Sequence, residues 1–233
     1  MIALRLRAKF AAYRQFAAGS FRPTAGFITP SAAYGLLLNL AGIDMRADDG
    51  KSVATTIRPG LPRLSLALGA VSLPERGSIF QQLHNYPIGN NKKEGGEDIK
   101  KRCWPRKHNV TPVRRELLIG LDAVIAVKDT PADLPAKVRQ GLTHSRPGYG
   151  LPFCGDNNLL PDRIEEIDPA AMPQALWLTP ILGEELDGPR DFTTRLTVTI
   201  HRLDMTQTRS LLMGPSPRSS TIPAEAWVPV VYS

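Results

Sequence analysis

Ile2-Ala3-Leu4-Arg5-Leu6-Arg7-Ala8-Lys9-Phe10, near the start of a 233-residue chain, alternates in character. Ile2, Leu4, Leu6 and Ala8 face one way, and Ala3, Arg5, Arg7 and Lys9 the other. Side chains of a strand project alternately to its two faces, so a period of two predicts a half-buried β-strand. Beyond Ala3 the second face is wholly basic, which suits either a solvated sheet surface or a surface near phosphate.

Working outward, Phe21 to Thr29 reads as a loop. Thr29-Pro30-Ser31 then opens a helix: threonine can cap exposed backbone N–H groups, and proline suits the first helical position because its missing N–H had no partner there anyway. Residues Ala32 to Leu40 continue the helix and Gly42 suits its stop. Gly35 inside it predicts either close approach by another chain or backbone, or tight helix-on-sheet packing. Further strands are predicted at Arg63–Ser72 and Glu116–Val127, the latter with Leu117, Ile119, Leu121, Ala123, Ile125 and Val127 in alternation. A short helix follows at Asp133–Leu142, a loop at Gly148–Asp168, and late strands at Ala175–Leu182 and Thr193–Leu203. The order strand, helix, strand, strand, helix, strand is the βαββαβ pattern of an α+β, ferredoxin-like domain, the scaffold also used by RNA recognition motifs. The paired aromatics that such motifs place on their central strands are absent, so binding would rest on charge and shape. The expected organisation is one domain over 1–213, with a basic insertion at about 75–113 and a loop-rich C-terminal part, then a proline-rich irregular tail over 214–233.

Composition narrows the function. Apolar and charged shares of 42% and 22% are ordinary for a globular protein. The 29 Lys and Arg against 22 Asp and Glu give a formal charge of +7. That excess is concentrated. Lys92, Lys93, Lys100, Lys101, Arg102, Arg106, Lys107, Arg114 and Arg115 face only Glu94, Glu97 and Asp98, so this segment carries +6 by itself. A clustered basic stretch favours nucleic acid as the partner. Insertions this long are usually functional or disordered. Arg114-Arg115 enters a strand, so one guanidinium can face RNA while its neighbour braces the core or the loop.

Other chemistries find little support. Cys103 and Cys154 are too few for a disulfide framework or a zinc knuckle and fit a reducing cytosol. No apolar run reaches the length of a membrane span, and the alternating start does not resemble a signal peptide, so the chain is expected to be soluble and cytoplasmic. There is no glycine-rich phosphate loop. His84, His108, His144 and His201 show no metal-ligand spacing, and no metal or other cofactor is expected. Lys107-His108 has two readings. The histidine could move a proton at a ribose hydroxyl while the lysine stabilises the phosphate; or both simply hold phosphates.

Read in order, Leu4-Arg5-Leu6, Phe21-Arg22-Pro23-Thr24, Thr29-Pro30-Ser31-Ala32-Ala33-Tyr34-Gly35-Leu36-Leu37 ending at Gly42, and Arg114-Arg115-Glu116-Leu117-Leu118 resemble the Cas-five subunit family of type I CRISPR Cascade complexes, within the RAMP superfamily. Gly150-Leu151-Pro152-Phe153-Cys154-Gly155-Asp156-Asn157 is similar to a loop of its type I-B-like branch. The resemblance covers roughly residues 1–165. It implies a ferredoxin-like body with a thumb that holds the 5′ handle of the CRISPR guide RNA. It also implies that the chain caps the Cas-seven backbone, touches the large Cas-eight-type subunit that reads the PAM, and meets target DNA through the complex. On that resemblance Arg22, Ser31, Tyr34 and Gly35 lie along the handle, with the helix N-terminus as an anion site. Lys101, Arg102, Arg106, Lys107 and His108 belong to the thumb or its base. In the type I-C branch the subunit is a metal-independent endoribonuclease using a tyrosine with a Lys-His pair. Lys107-His108 could fill the pair, and Tyr34 or Tyr13 would have to supply the tyrosine. The Gly150–Asn157 loop aligns the chain instead with branches in which another subunit cuts, so the expectation is a non-catalytic RNA-binding subunit.

Overall fold

The computed structural model describes residues 1–15, 20–48, 50, 55–84, 110–143, 150–181 and 192–232. Strand β1 (Ile2–Ala11) leads through the short β2 (Phe21–Arg22) to helix α1 (Pro30–Leu40). A two-strand hairpin, β3 (Arg46–Ala47) with β4 (Thr56–Ile57), precedes β5 (Leu64–Ser72) and β6 (Glu75–His84). The long β7 (Val110–Lys128) is followed by helix α2 (Leu134–Leu142), β8 (Arg163–Ile167), β9 (Ala175–Pro180), β10 (Thr194–Thr199), β11 (Arg209–Ser219) and β12 (Val228–Val230).

Four strands stand in the order β8-β1-β7-β5, every pair antiparallel. With α1 between β1 and β5 and α2 between β7 and β8, this is the ferredoxin-like βαββαβ arrangement. The α+β class expected from the pattern is the one observed. Alternation in β1 decides which face is buried: Ile2, Leu4, Leu6 and Ala8 join Leu64, Leu66 and Leu68 of β5 and Leu121, Ala123, Ile125 and Val127 of β7. Tyr34, Leu37 and Leu38 of α1 and Val138 of α2 seal this layer. Each leucine, isoleucine or valine among them, taken out of water, contributes about 1.5–3 kcal/mol.

The reverse face is built differently. Ala3, Ala67, Val124 and Ala126 leave a shallow surface, and Trp177 with Ala226 lies over it. A Cβ on Gly69 would stand 3.0 Å from the indole, so the ring rests directly on β5, and its Nε1 donates to the Ser219 carbonyl at 3.0 Å. This is the side of the sheet that an RNA recognition motif leaves open. Here the chain covers part of it.

Two of the three basic residues on the basic face of β1 pair with carboxylates within the sheet. Arg5 donates to both Asp122 oxygens at 2.8 and 2.7 Å, and Arg7 to Glu165 at 3.3 Å. Arg5, held at two points and mostly shielded, is thereby tied to the sheet, while Arg7 keeps part of its side chain in solvent.

Helix α1 starts and stops as expected: the Thr29 hydroxyl accepts from the Ala32 N–H at 3.1 Å, and Gly42 takes φ 69° just past the end. Among the described residues of this chain nothing packs closely on Gly35, since a Cβ at that position meets nothing within 4 Å; the tight helix-on-sheet packing expected there is not found. A close approach occurs at Gly141 of α2, where a Cβ would run into the Leu40 carbonyl oxygen of α1.

Three other expectations are corrected. The fourth strand of the motif is β8, inside the segment read as a loop, whereas Ala175–Pro180 lies on the opposite side of the sheet, beside β5. The polar sequence of β8 hid it: Glu165 and Glu166 pair with Arg7 of β1 and Arg139 of α2. Segment 214–233, expected to be irregular, includes the second half of β11, paired to β9, and all of β12, paired to β5. Register slips between Pro215 and Arg218, which is where prolines fit a sheet. Finally, the first part of the 75–113 insertion is ordered as a ribbon: β6 pairs antiparallel with β7 from Glu75↔Ile119 to His84↔Val110. Lys101, Arg102, Arg106, Lys107 and His108 lie outside the described residues.

Candidate nucleic-acid interface at the ribbon base

Strand β7 serves both the sheet and the ribbon, and Gly120, with φ 73°, sits where one passes into the other. At this junction β2 runs parallel to β7, placing Phe21 beside Arg114 and Arg22 beside Arg115. The segment around β2 is tied to the end of β1: Tyr13 N–H donates to the Thr24 hydroxyl at 2.9 Å, Ala25 N–H to the Tyr13 carbonyl at 2.8 Å, and Arg14 bridges to Thr24. Arg14 and Arg22 are thereby brought to one place.

The Gly150–Asn157 loop closes the site from below. Ala12 N–H donates to the Cys154 carbonyl at 3.0 Å, and Cys154 N–H to the Leu159 carbonyl at 2.7 Å. Gly155 takes φ 81°, and a Cβ there would collide with the Ala12 carbonyl and the Tyr13 ring, so only glycine lets the loop press this closely. The turn carries Asp156 into the protein, where it is 5% exposed. Its Oδ2 accepts from Arg115 and, at 3.1 Å, from Arg14; its Oδ1 accepts from the Asn158 N–H at 3.1 Å. Burial alone would raise the carboxyl's pKa, but the Asn158 N–H and the two guanidiniums outweigh it and hold the group below its ordinary value. Beneath the loop, burial pushes the Cys154 thiol up to about 11, so it is not a reactive thiolate.

Above Asp156 lies a hollow of about 170 Å³ lined by Arg14, Arg22, Arg115, Gln81, Gln82 and Glu116, among others. Glu116 is engaged: it accepts from the Thr24 N–H at 3.1 Å and stands 4.0 Å from Arg76. The Arg14 side chain is 69% exposed, and among the described residues no carboxylate pairs with Arg22. The arrangement therefore presents two outward guanidiniums beside a third that is fixed, a geometry suited to phosphate oxygens. A larger hollow, about 230 Å³, lies elsewhere among Thr56, His201, Arg202 and Tyr232, and none of the expected site residues among the described ones lines it.

The residues singled out in the sequence divide into two groups. Arg22, Arg114 and Arg115 gather at the junction. Arg115 is buried and braces the loop through Asp156 and, at 3.3 Å, Gln81; Arg114 is exposed, with its Nε 3.3 Å from the Ser78 hydroxyl. The helix residues are placed otherwise. Tyr34 has no exposed surface, its hydroxyl donates to the Pro62 carbonyl at 2.8 Å, and its ring packs 5.2 Å from that of Tyr232. Ser31 is 8% exposed and its hydroxyl pairs with that of Thr29 at 3.0 Å, while Gly35 is half-buried. Thr29, Pro30 and Ser31 are all buried, which closes the helix N-terminus to an anion. Tyr13, the other tyrosine considered for catalysis, is buried too, and burial followed by the neighbouring Cys154 raises its pKa well above the ordinary value. Sequence reasoning missed Arg14 and Asp156. Asp156 belongs to the distinctive Gly150–Asn157 stretch, but nothing local links it to arginines far along the chain.

No protein-family model matches the chain, and no curated protein does. Solved structures do. One chain of a "CRISPR RNA-guided surveillance complex" superposes with a TM-score of 0.53 at 16% identity, covering 93% of this chain and 89% of that one. The two share a fold. A "Crystal structure of Cas protein" aligns with a TM-score of 0.44 at 13% identity, over 94% of this chain and 99% of that one.

Proposed function

We propose that this chain is the subunit of a type I CRISPR surveillance complex that binds the 5′ handle of the guide RNA. It caps the filament of Cas-seven backbone subunits, touches the large Cas-eight-type subunit, and meets target DNA through the complex. One observation carries the reading: Arg14 and Arg22 stand outward around a hollow whose floor, Arg115 on Asp156, is already fixed. Arg114 and Arg115 are themselves the last two cations of the segment of net charge +6. The fold shared with a chain of an RNA-guided surveillance complex supports the same reading.

The mechanism is electrostatic and geometric. Arg14 and Arg22 clamp phosphates, and Arg115 keeps the ribbon base from yielding. The role is proposed as non-catalytic. Tyr13 and Tyr34, the two tyrosines considered as partners for Lys107-His108, are buried, and a phenol inside the core cannot reach a ribose.

Two measurements test this. Arg14→Ala with Arg22→Ala should weaken binding of a single-stranded RNA and flatten the slope of log affinity against log salt by about 0.7 for each phosphate no longer neutralised. An unchanged slope would move the RNA site elsewhere. Incubation of repeat RNA with the chain in EDTA should leave it intact; cleavage that His108→Ala abolishes would make the chain a metal-independent endoribonuclease.

A further inference from the structure

On the ribbon face opposite Arg115, three side chains form one cross-strand row. Phe21 of β2 pairs in register with Arg114 of β7, and Arg114 pairs in register with Phe80 of β6. Neighbouring strands lie about 4.8 Å apart, so the two phenyl positions are separated by roughly 10 Å with the arginine between them. The Arg114 guanidinium carbon sits 5.9 Å from the Phe21 ring centre, and Nε points to Ser78. Two contacts thus orient the guanidinium, while among the described residues no carboxylate pairs with it. Phe80 is 78% exposed and Phe21 42%. Two phenylalanines held in register on a ribbon, with an oriented arginine between them, form a built surface over which none of the described residues closes.

We propose that Phe21–Arg114–Phe80 is a base-stacking platform for single-stranded RNA, an inference that rests on the RNA-binding function above. Phe80 takes the face of an unpaired base, and Arg114 directs its terminal N–H groups to the adjoining phosphate. The flanking residues favour a nucleic acid: Arg76, Ser78 and Gln82, exposed on the same strand, are donors, not apolar contacts. A polyanion carrying flat rings is the ligand that uses both the charge and the exposed rings. The base must be unpaired, since a base inside a duplex has no free face. The platform stands off the four-strand sheet, which is why no aromatic pair is visible on the central strands.

The test compares a short fluorescein-labelled oligoadenylate with an abasic RNA of equal length, titrated into the full chain and followed by anisotropy. Wild type should bind the oligoadenylate about tenfold more tightly than the abasic strand, within the range expected for stacking on aromatic side chains. Phe80→Ala should remove most of that difference, leave abasic binding and the salt slope unchanged, and keep the thermal melt of wild type; Phe80→Trp should restore it. Phe80→Ala binding both strands as wild type does would overturn the platform and leave the RNA-binding function standing, and loss of a protein neighbour from the purified complex would then mark the row as a protein contact. An equal loss on both strands would also overturn it, because the ring would not be acting through a base. Wild type binding neither strand would overturn both the platform and the function beneath it.

Discussion

Asp156 holds together groups that the chain delivers from distant positions. Its carboxylate is nearly inaccessible, so removing it strands Arg115, whose side chain is only 10% exposed. Leaving a buried charge without its partner costs about 3–5 kcal/mol, whereas Arg14, largely in water, adds little. Asp156→Ala should therefore lower unfolding free energy by about that amount in urea titrations, and weaken RNA binding with it. The pH dependence has a definite sign. Because the folded state depresses this pKa, the stabilisation is fully present above the unfolded value of about 3.9 and is lost as pH falls through the lower, folded value. Asp156→Asn should lose that acid-sensitive part, measured as a smaller difference in stability between neutral pH and pH values below about 4. The site was half legible from sequence. Arg22, Arg114 and Arg115 declared themselves by charge and motif, but the partner that decides their roles lies 41 positions from Arg115 and 142 from Arg14.

Glycines in α1 and in the Asp156 loop behave oppositely, and the elements explain why. Gly35 sits in the middle of a helix with open space where a Cβ would go, so Gly35→Ala should stabilise the protein by about 0.5–1 kcal/mol, seen as a raised melting temperature. Gly155 has a positive φ and a backbone oxygen in the way, so Gly155→Ala should destabilise by at least about 1 kcal/mol and loosen the loop from β1. Elements with a strong local pattern were readable: β1 and β7 by alternation, α1 by Thr29, Pro30 and Gly42. Those settled by distant partners were not. β8 reads as a polar loop until its glutamates meet Arg7 and Arg139, and β11 is masked by prolines that its register shift accommodates.

At the scale of the molecule, the four-strand motif does not end the sheet. β9, β10 and β11 extend it beyond β5, β12 pairs along β5, and Trp177 covers the rear face. Truncation after Met213, which the sequence would pass as removal of a loose tail, should abolish a cooperative thermal transition in circular dichroism, because it strips β9 of a neighbour and bares β5. Much of the sheet also depends on one strand. β1 and β5 both wait for β7, and the Arg5–Asp122 pair closes across 117 positions. Local contacts form fast and distant ones slowly, and the strands that close the outer edges come later still: β8 pairs with β1, and β12 with β5, only once most of the chain is present. Until they dock, two apolar strand edges are open to any other chain that is half-made in the same way. The folding chain is thus expected to be most prone to pair with other copies of itself before its last strands are in place.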